Sequence, residues 1–555
     1  MKHKWWQDAI FYQIYVRSFY DSNNDGIGDI NGIILKLNYL KDLGVSAIWL
    51  SPFYDSPMDD NGYDIRDHYM ISPDYGTIDD FKLLLKEAHK LGIKVIADLV
   101  LNHTSDEHEW FKKGSDPNND EFKKYHDYYI WQKPKYIQGK RTYPTRYLSW
   151  FGSPAWSYNE KTNEYYMHIF SKKMPDLNWH NKDMVNELKE MIKWWVDLGI
   201  DGFRVDASNH LEKNWDFPDA YPGYENFCDL EPHHMYIKEL SEEIFIPNDL
   251  VTIGESGGAT KEAVLRYASF DSHEFNMVIQ FGHCWCDCDD ENEVITGKWA
   301  KGKLDLKKVK ESFYNNSKTL YKKGWSVIYW HNHDQPRINS HYGNESASSA
   351  KMLAIALYFM PGTPICYYGE EIGMTNVKYK SVRDFRDVEV FTEYNNFISR
   401  GATKKEAIKA LCDRSRDNAR TPMQWNDTPN GGFSVNTPWI KTNDNYPDIN
   451  VSKEEKEKES VLSLYKKIFK LRNEDEGLRY GKLVFYDIED ENSFIYENIS
   501  GNGSYLVICN FSNKEIPVSL KMNINDYKLV LTNDTCEKIK KDMILKPYQA
   551  LVYKK

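Results

Sequence analysis

Four apolar segments of the chain end in residues that can transfer protons or attack carbon. KVIADLVLNH carries Asp98 and ends in Asn102 and His103, while DGFRVD carries Arg204 and ends in Asp206. VTIGE ends in Glu255, and SVIYWHNHD ends in His333 and Asp334. One carboxylate at one strand end is more often a structural hydrogen-bonding group, but four strands ending this way weaken that explanation. In a (β/α)8 barrel the C-terminal strand ends converge on one mouth, so groups over a hundred residues apart would meet there. Carboxylates and histidines at one mouth, with no metal-ligand spacing, suit glycosyl transfer: one carboxylate attacks the anomeric carbon and another protonates the leaving oxygen. Like charges at such a mouth push their pKa values apart, which keeps one carboxyl protonated as the acid.

These groups need a scaffold, and the chain supplies one. Short β-rich runs alternate with longer amphipathic stretches, the pattern of an α/β (β/α)8 TIM barrel. Strands are expected at 9–16, 46–52, 94–102, 201–207, 251–255, 276–282, 326–332 and 364–369. Between them, Phe81, Leu84, Leu85, Ala88 and Leu91 recur at helical spacing over 78–91, and Gly92 closes that helix. The barrel occupies 1–103 and 175–480. A polar, aromatic stretch at 104–174 is too long for a plain βα loop and reads as an inserted lobe over the mouth. A second insertion, at about 373–457, ends in the charge run KEEKEKE, read as the start of a solvated helix. From Gly481, KLVFYDI, SFIYENI, SYLVICNF, YKLVLTN and QALVYKK read as a C-terminal all-β domain, 481–555.

Composition narrows the partners. Over 555 residues the formal charge is −12, so nucleic acid and anionic membranes are poor partners, and a small oligosaccharide acted on by a monomer is expected. Aromatic residues make up 15%, including 39 Tyr and 17 Trp, and flat amphipathic rings suit sugar faces as well as cores. The N-terminal stretch lacks the pattern of a secretory signal and no apolar run approaches the length of a membrane span, so a cytoplasmic location is expected. Cys284, Cys286 and Cys288, with His283, alternate as a soft-metal site might, but CxCxC is not the spacing of structural zinc, and ordinary thiols are expected. The loop Asp21, Asn23, Asp25, Ile27, Asp29 places oxygen ligands at alternate positions, like the first half of an EF-hand, though Gly32 stands where its bidentate Glu would be.

The segments DLVLNHTSDEH, GFRVDASNH, TIGES and YWHNHDQPR resemble, in order and spacing, the four signature regions of the α-amylase superfamily of glycoside hydrolases. FYQIYVRSFYDSNNDGIGDINGI, NGYDIRDHYMISPDYGT, FSKKMPDLNW, GEEIGMTN and SRDNARTPMQW are similar to its oligo-1,6-glucosidase and α-glucosidase subfamily. The resemblance implies a retaining double displacement with Asp206 as nucleophile, Glu255 as general acid/base and Asp334 as the carboxylate that fixes sugar hydroxyls. It further implies that His103 and His333 bind the non-reducing glucose, that Arg204 holds Asp206 ionised, and that Phe170 lines the sugar. Asp60 and Tyr63 close the far end, with Arg416 or Arg420 as the ionic partner of Asp60, which makes the site exo-acting. A structural Ca2+ on the Asp21–Asp29 loop is implied as well.

The chain departs from the subfamily around the leaving group. Ala207 follows the nucleophile where enzymes that cut isomaltose usually carry Val, Met174 stands where Gln is common, and His331 and Tyr368 replace commoner Asn and Gln. Linkage is therefore open between α-1,4 and α-1,6, with Ala207 favouring acceptance of α-1,4. The rival activity is trehalose-6-phosphate hydrolysis, for which Lys172 and Lys173 offer basic groups. Sucrose isomerisation is disfavoured because the 281–289 segment lacks the arginine-containing loop of those enzymes. A non-catalytic transporter subunit is disfavoured because the carboxylates are present.

Overall fold

The computed structural model describes residues 3–535 and 539–555. Eight parallel strands form the barrel: β1 Phe11–Ile14, β2 Ala47–Leu50, β3 Lys94–Val100, β4 Gly202–Asp206, β5 Val251–Glu255, β6 Met277–Ile279, β7 Val327–Ile328 and β8 Thr363–Tyr367. The sheet order is β6-β5-β4-β3-β2-β1-β8-β7. The seam between β6 and β7 lacks a continuous ladder and is bridged just above it by the Tyr329 hydroxyl donating to the Gln280 carbonyl at 2.7 Å.

Period-two alternation explains what lies inside. Phe11, Ala47, Trp49, Ile96, Val251, Ile253, Met277, Ile279, Val327 and Ile365 form one apolar cluster within the barrel, and their neighbours along each strand pack outward. Two residues further along the same inward face stand polar groups: Gln13 after Phe11, Asp98 after Ile96, and Glu255 after Ile253. The barrel thus has an apolar floor under a layer of polar side chains at its C-terminal mouth. Helices α1 Ile30–Leu43, α2 Ile78–Lys90, α3 Lys182–Asp197, α4 His233–Leu240, α5 Lys261–Ala268, α6 Leu306–Leu320, α7 Ala347–Tyr358 and α8 Val461–Glu474 follow the strands in turn. In α2, Thr77 and Asp80 form a capping box, and Phe81, Leu84, Leu85 and Ala88 make the buried stripe.

Between β3 and α3 the chain builds a small antiparallel sheet from Trp131–Gln132, Trp156–Asn159 and Glu164–Met167. Bridges His103–Asp176 and Tyr129–Leu177 return it to the barrel. Beyond α8, strands Lys482–Tyr486, Ser493–Ser500, Gly503–Asn510, Ala550–Lys554 and Lys528–Thr532 form one antiparallel sheet in that spatial order.

Two expectations are corrected. The charge run is the end of a helix, not the start of one: Val451–Lys456 stops within it, and α8 begins only after Ser460, whose side chain caps the Ser463 N–H. Strand β7 is two residues long, so His333 and Asp334 sit on the following loop and not at a strand end. That loop is held by the Asp334 N–H donating to Asn332 Oδ1 at 2.7 Å and by Arg420 Nε donating to the His333 carbonyl at 3.1 Å.

Candidate active site

Strands β3, β4 and β5 bring Asp98, Arg204, Asp206 and Glu255 together. One guanidinium, fully buried, serves all three carboxylates: Arg204 donates to Asp98 at 2.6 Å, to Asp206 at 2.7 Å and to Glu255. The backbone N–H of Ala207 also reaches Glu255, at 3.3 Å, because the chain turns at Ala207 with φ 45°. Ser208 ties the strand ends by donating to the Glu255 carbonyl at 2.8 Å.

From this cluster a hydrogen-bond chain runs across the mouth. The Tyr63 hydroxyl donates to Asp98 at 3.0 Å and lies 2.6 Å from His333 Nε2, while the Gln13 amide reaches His333 Nδ1 at 2.8 Å. Gln13 donating to Nδ1 leaves the proton of a neutral His333 on Nε2, aimed at Tyr63 and at Asp334 Oδ2, 3.2 Å away. Burial pushes the His333 pKa down to about 3, so its ring is neutral near pH 7.

The far side is built on two arginines. Arg416 forks onto Asp387 at 2.6 and 2.8 Å and reaches Asp60 at 2.9 Å, while Arg420 reaches Asp334 at 3.2 Å. Of the two expected partners, Arg416 is the one that binds Asp60. Arg337 and Tyr368 position this pair: Arg337 donates to the carbonyls of Asn418 and Ala419, and the Tyr368 hydroxyl lies 2.6 Å from the Thr421 carbonyl. Asp64 accepts the N–H groups of Asp59 and Asp60, which shapes the loop that presents Asp60.

His103 is buried with Nε2 unpartnered among the described residues, and Phe170 meets its ring edge-on at 5.4 Å. Met174 is buried in the core, and His331 is buried against Tyr367. Asp387 and Gln13 were not anticipated. Gln13 had a signal, a polar residue inside the apolar FYQIY, whereas Asp387 stands in the 373–457 insertion as the N-cap of the helix Val388–Ser399, a position that by itself marks only a helix start.

The electrostatics divide the mouth. Burial raises Asp206 well above the ordinary carboxylate value, against the pull of Arg204, and raises Asp98 to about 6. Asp334 and Asp387 are buried too, but charge reverses the sign: Arg416 and Arg420 hold Asp334 below the ordinary range and Asp387 at about 2. The His333 ring, neutral near pH 7, adds little to the depression of Asp334 there, and the arginines carry it. The upward shifts of Asp206 and Asp98 come from burial, which outweighs the one guanidinium they share.

The loop from Asp21 to Asp29 lies apart from the mouth. Asp21 accepts the N–H groups of Asn23, Asn24 and Gly26, Asp25 accepts that of Ile27, and Asp29 caps α1 through Gly32. Among the described residues no three His, Cys, Asp or Glu side chains are grouped to hold a metal ion. A cation there would have to draw on Asn23 Oδ1 and the Ile27 carbonyl as well as carboxylates. The same finding applies to Cys284, Cys286 and Cys288, which burial holds as protonated thiols. A cavity of about 710 Å3 opens at the opposite, N-terminal end of the barrel beside Trp6, Leu250, Asn276 and Trp325. It contains none of the converging carboxylates, so convergence of strand ends and not volume locates the site.

Comparison with known proteins agrees with this geometry. The alpha amylase catalytic domain family matches residues 13–481. The chain is 42% identical over 571 residues to an oligo-1,6-glucosidase of Parageobacillus thermoglucosidasius, covering 100% of this chain and 99% of the relative. Among solved structures, trehalose-6-phosphate hydrolase of Bacillus licheniformis superposes with a TM-score of 0.91 at 40% identity, each chain covered in full. Isomaltulose synthase of Klebsiella sp. LX3 gives a TM-score of 0.93 at 36% identity, again with full coverage of both chains.

Proposed function

The chain belongs to the α-amylase family of glycoside hydrolases, and from that premise we propose that it is a retaining, exo-acting α-glucosidase releasing glucose from the non-reducing end of short α-glucosides. The observation that carries this reading is the sharing of Arg204 between Asp206 and Glu255, with Asp334 held opposite by Arg420. Asp206 attacks the anomeric carbon while Glu255 gives its proton to the departing glycosidic oxygen. Glu255 then takes a proton from the water that displaces Asp206, and a second inversion restores the α configuration. His103 Nε2, Asp334 and Asp60 supply the polar contacts for the terminal glucose, and the ion pair of Asp60 with Arg416 walls off the far end. Magnetic resonance of the first-formed product tests the reading: α-glucose is expected, and β-glucose would sink it.

The relatives include a hydrolase named for trehalose 6-phosphate, which keeps that substrate as the second reading. Comparing maltose, isomaltose, sucrose, trehalose and trehalose 6-phosphate decides it. Dominance of the phosphorylated sugar moves the assignment, and isomaltulose from sucrose would mark an isomerase. We also propose that the Asp21–Asp29 loop binds Ca2+, supported by its oxygen-only donors. No step of the reaction passes through that ion. Chelation is expected to lower the melting temperature and leave kcat unchanged. A cytoplasmic location is supported by the seven described cysteines, all free thiols. No helix among the described residues is long and apolar enough to cross a membrane. The expected monomer is tested by mass in solution.

A further inference from the structure

The mouth also carries a run of aromatic rings that the double displacement does not use. His103 meets Phe170 edge-on at 5.4 Å, and Phe170 meets His210 at 6.2 Å. His210 lies 5.7 Å from Trp150, and Trp150 stacks on Tyr224 at 4.2 Å and 11°. The inner rings are covered and the outer pair is not: His103 and His210 are buried and Phe170 is half-buried, whereas Trp150 is 38% exposed and Tyr224 is half-buried beneath it. The rings therefore lead from the glucose pocket to open solvent.

We propose that Trp150 and Tyr224 form a distal subsite for a neutral α-linked oligosaccharide, taking a sugar beyond the leaving unit, so that the enzyme favours chains of three or more glucoses over disaccharides. This rests on the reading of His103 as a contact of the terminal glucose. Three ring contacts separate His103 from Trp150, which leaves room for the leaving sugar at half-buried Phe170 and for the next one at the indole. A flat, partly exposed indole backed by a second ring offers the amphipathic face that a pyranose ring covers.

The platform is rigid before any sugar arrives. Two segments lock together: the Leu148 N–H donates to the Pro222 carbonyl at 2.9 Å, and the Trp150 N–H donates to the Ile169 carbonyl at 2.8 Å. Gly223 has φ 82°, and a Cβ there would lie 2.3 Å from the Tyr147 ring, so only glycine lets the segments approach this closely. Little ordering cost is then left for binding.

Charge selects a neutral ligand. The cations carried on 146–153 and 210–227, the segments that hold Trp150 and Tyr224, are Arg146 and Lys213, while Lys172 and Lys173 lie beside Phe170 at the leaving-unit end of the run. Arg146 pairs with Asp219 at 3.0 Å, and buried Lys213 holds Asp176 at 3.1 Å and Asn102 at 2.8 Å. Neither stands ready for a phosphate.

The test compares kcat/KM for malto- and isomalto-oligosaccharides of two, three and four units, with trehalose 6-phosphate in parallel, on the parent, Trp150→Ala and Trp150→Phe. The parent should gain roughly 3- to 10-fold from two units to three. Trp150→Ala should lose that gain and Trp150→Phe should keep most of it. A parent without the gain, a Trp150→Ala variant that lowers every chain length by one factor, or a preference for trehalose 6-phosphate over trisaccharides would overturn the proposal. Failure of the parent to hydrolyse 4-nitrophenyl α-glucoside would instead overturn the glucosidase reading on which it rests.

Discussion

Two clusters of buried arginine and carboxylate face each other across the mouth, and they differ in how cations are shared. On the reacting side, Asp98, Asp206 and Glu255 divide one guanidinium, and burial lifts Asp206 and Asp98. On the side proposed to bind glucose, Asp387 has a fork from Arg416 and Asp334 has Arg420 with Arg416 behind it, and both carboxyls are depressed. Asp60 is the exception there, because burial outweighs its arginines. Similar residue types thus make opposite devices. A side short of positive charge holds a proton readily, which proton transfer needs. A side with cations of its own keeps fixed charge over the pH range, which positioning needs.

The comparison breaks first if proton donation does not depend on Glu255. Glu255→Gln should lower kcat/KM for natural disaccharides by about 10^4-fold, near the upper end of what one general acid supplies. The loss should be much smaller for 4-nitrophenyl α-glucoside, whose leaving group departs without a proton. Equal losses on both substrates would mean that Glu255 acts otherwise.

On the binding side, Arg416→Gln strands Asp60 and Asp387 without their shared cation. A broken buried pair costs about 3–5 kcal/mol, so the melting temperature should fall together with a roughly 10^2-fold or greater rise in KM. The acid limb of the pH profile should stay in place. Arg416→Lys should rescue only part, since an ammonium cannot fork onto Asp387. A fall in kcat with KM unchanged would place Arg416 on the reacting side and erase the distinction.

A smaller effect is expected at Ala207, on the turn between Asp206 and Glu255. Ala207→Val should shift the ratio of kcat/KM values from maltose toward isomaltose by roughly 10- to 100-fold, the worth of one or two pocket methyls. Because φ at Ala207 is 45°, a β-branched side chain is strained there, so stability should fall as well. The ratio between substrates, not the absolute rate, carries the test, and an unchanged ratio would remove Ala207 from the leaving-group wall.

What could be read from the chain follows the same division. Strands β3, β4 and β5 were legible because buried parallel strands are apolar runs, and Asp98, Asp206 and Glu255 interrupt or end such runs. The loop carrying Asp334 misled, since SVIYWHNHD reads as one strand although only Val327–Ile328 pairs in the sheet. Asp387 left no mark as a site residue because it reads as an ordinary helix cap: it precedes the helix Val388–Ser399 and accepts the Glu389 N–H. Its role appears only when the tertiary fold brings Arg416 against it. The upward shifts of Asp206 and Asp98 were not legible, because burial and the sharing of a cation depend on side-chain geometry that spacing does not encode.

The sharpest test of cation sharing is the smallest in size. Asp98 is wholly buried, unlike Asp206 and Glu255, yet it takes part of Arg204, so Asp98→Asn should return that share to Asp206. The Asp206 pKa should then fall, and the acid limb of kcat/KM should move to lower pH by about one unit, equivalent to about 1.4 kcal/mol. Stability supplies a second readout with a defined sign. The folded pKa of Asp98, about 6, lies above the ordinary 3.8, so its contribution to stability is complete below about pH 3.8 and is lost as pH rises through 6. The melting temperature of the parent relative to Asp98→Asn should therefore be most favourable near pH 4 and decline by pH 7. Asp334, depressed by its arginines, works in the opposite sense, with stability present above about pH 3.8 and lost on further acidification in parent and variant alike. An acid limb that stays put while the melting curves change would show that Asp98 braces Arg204 without competing for its charge.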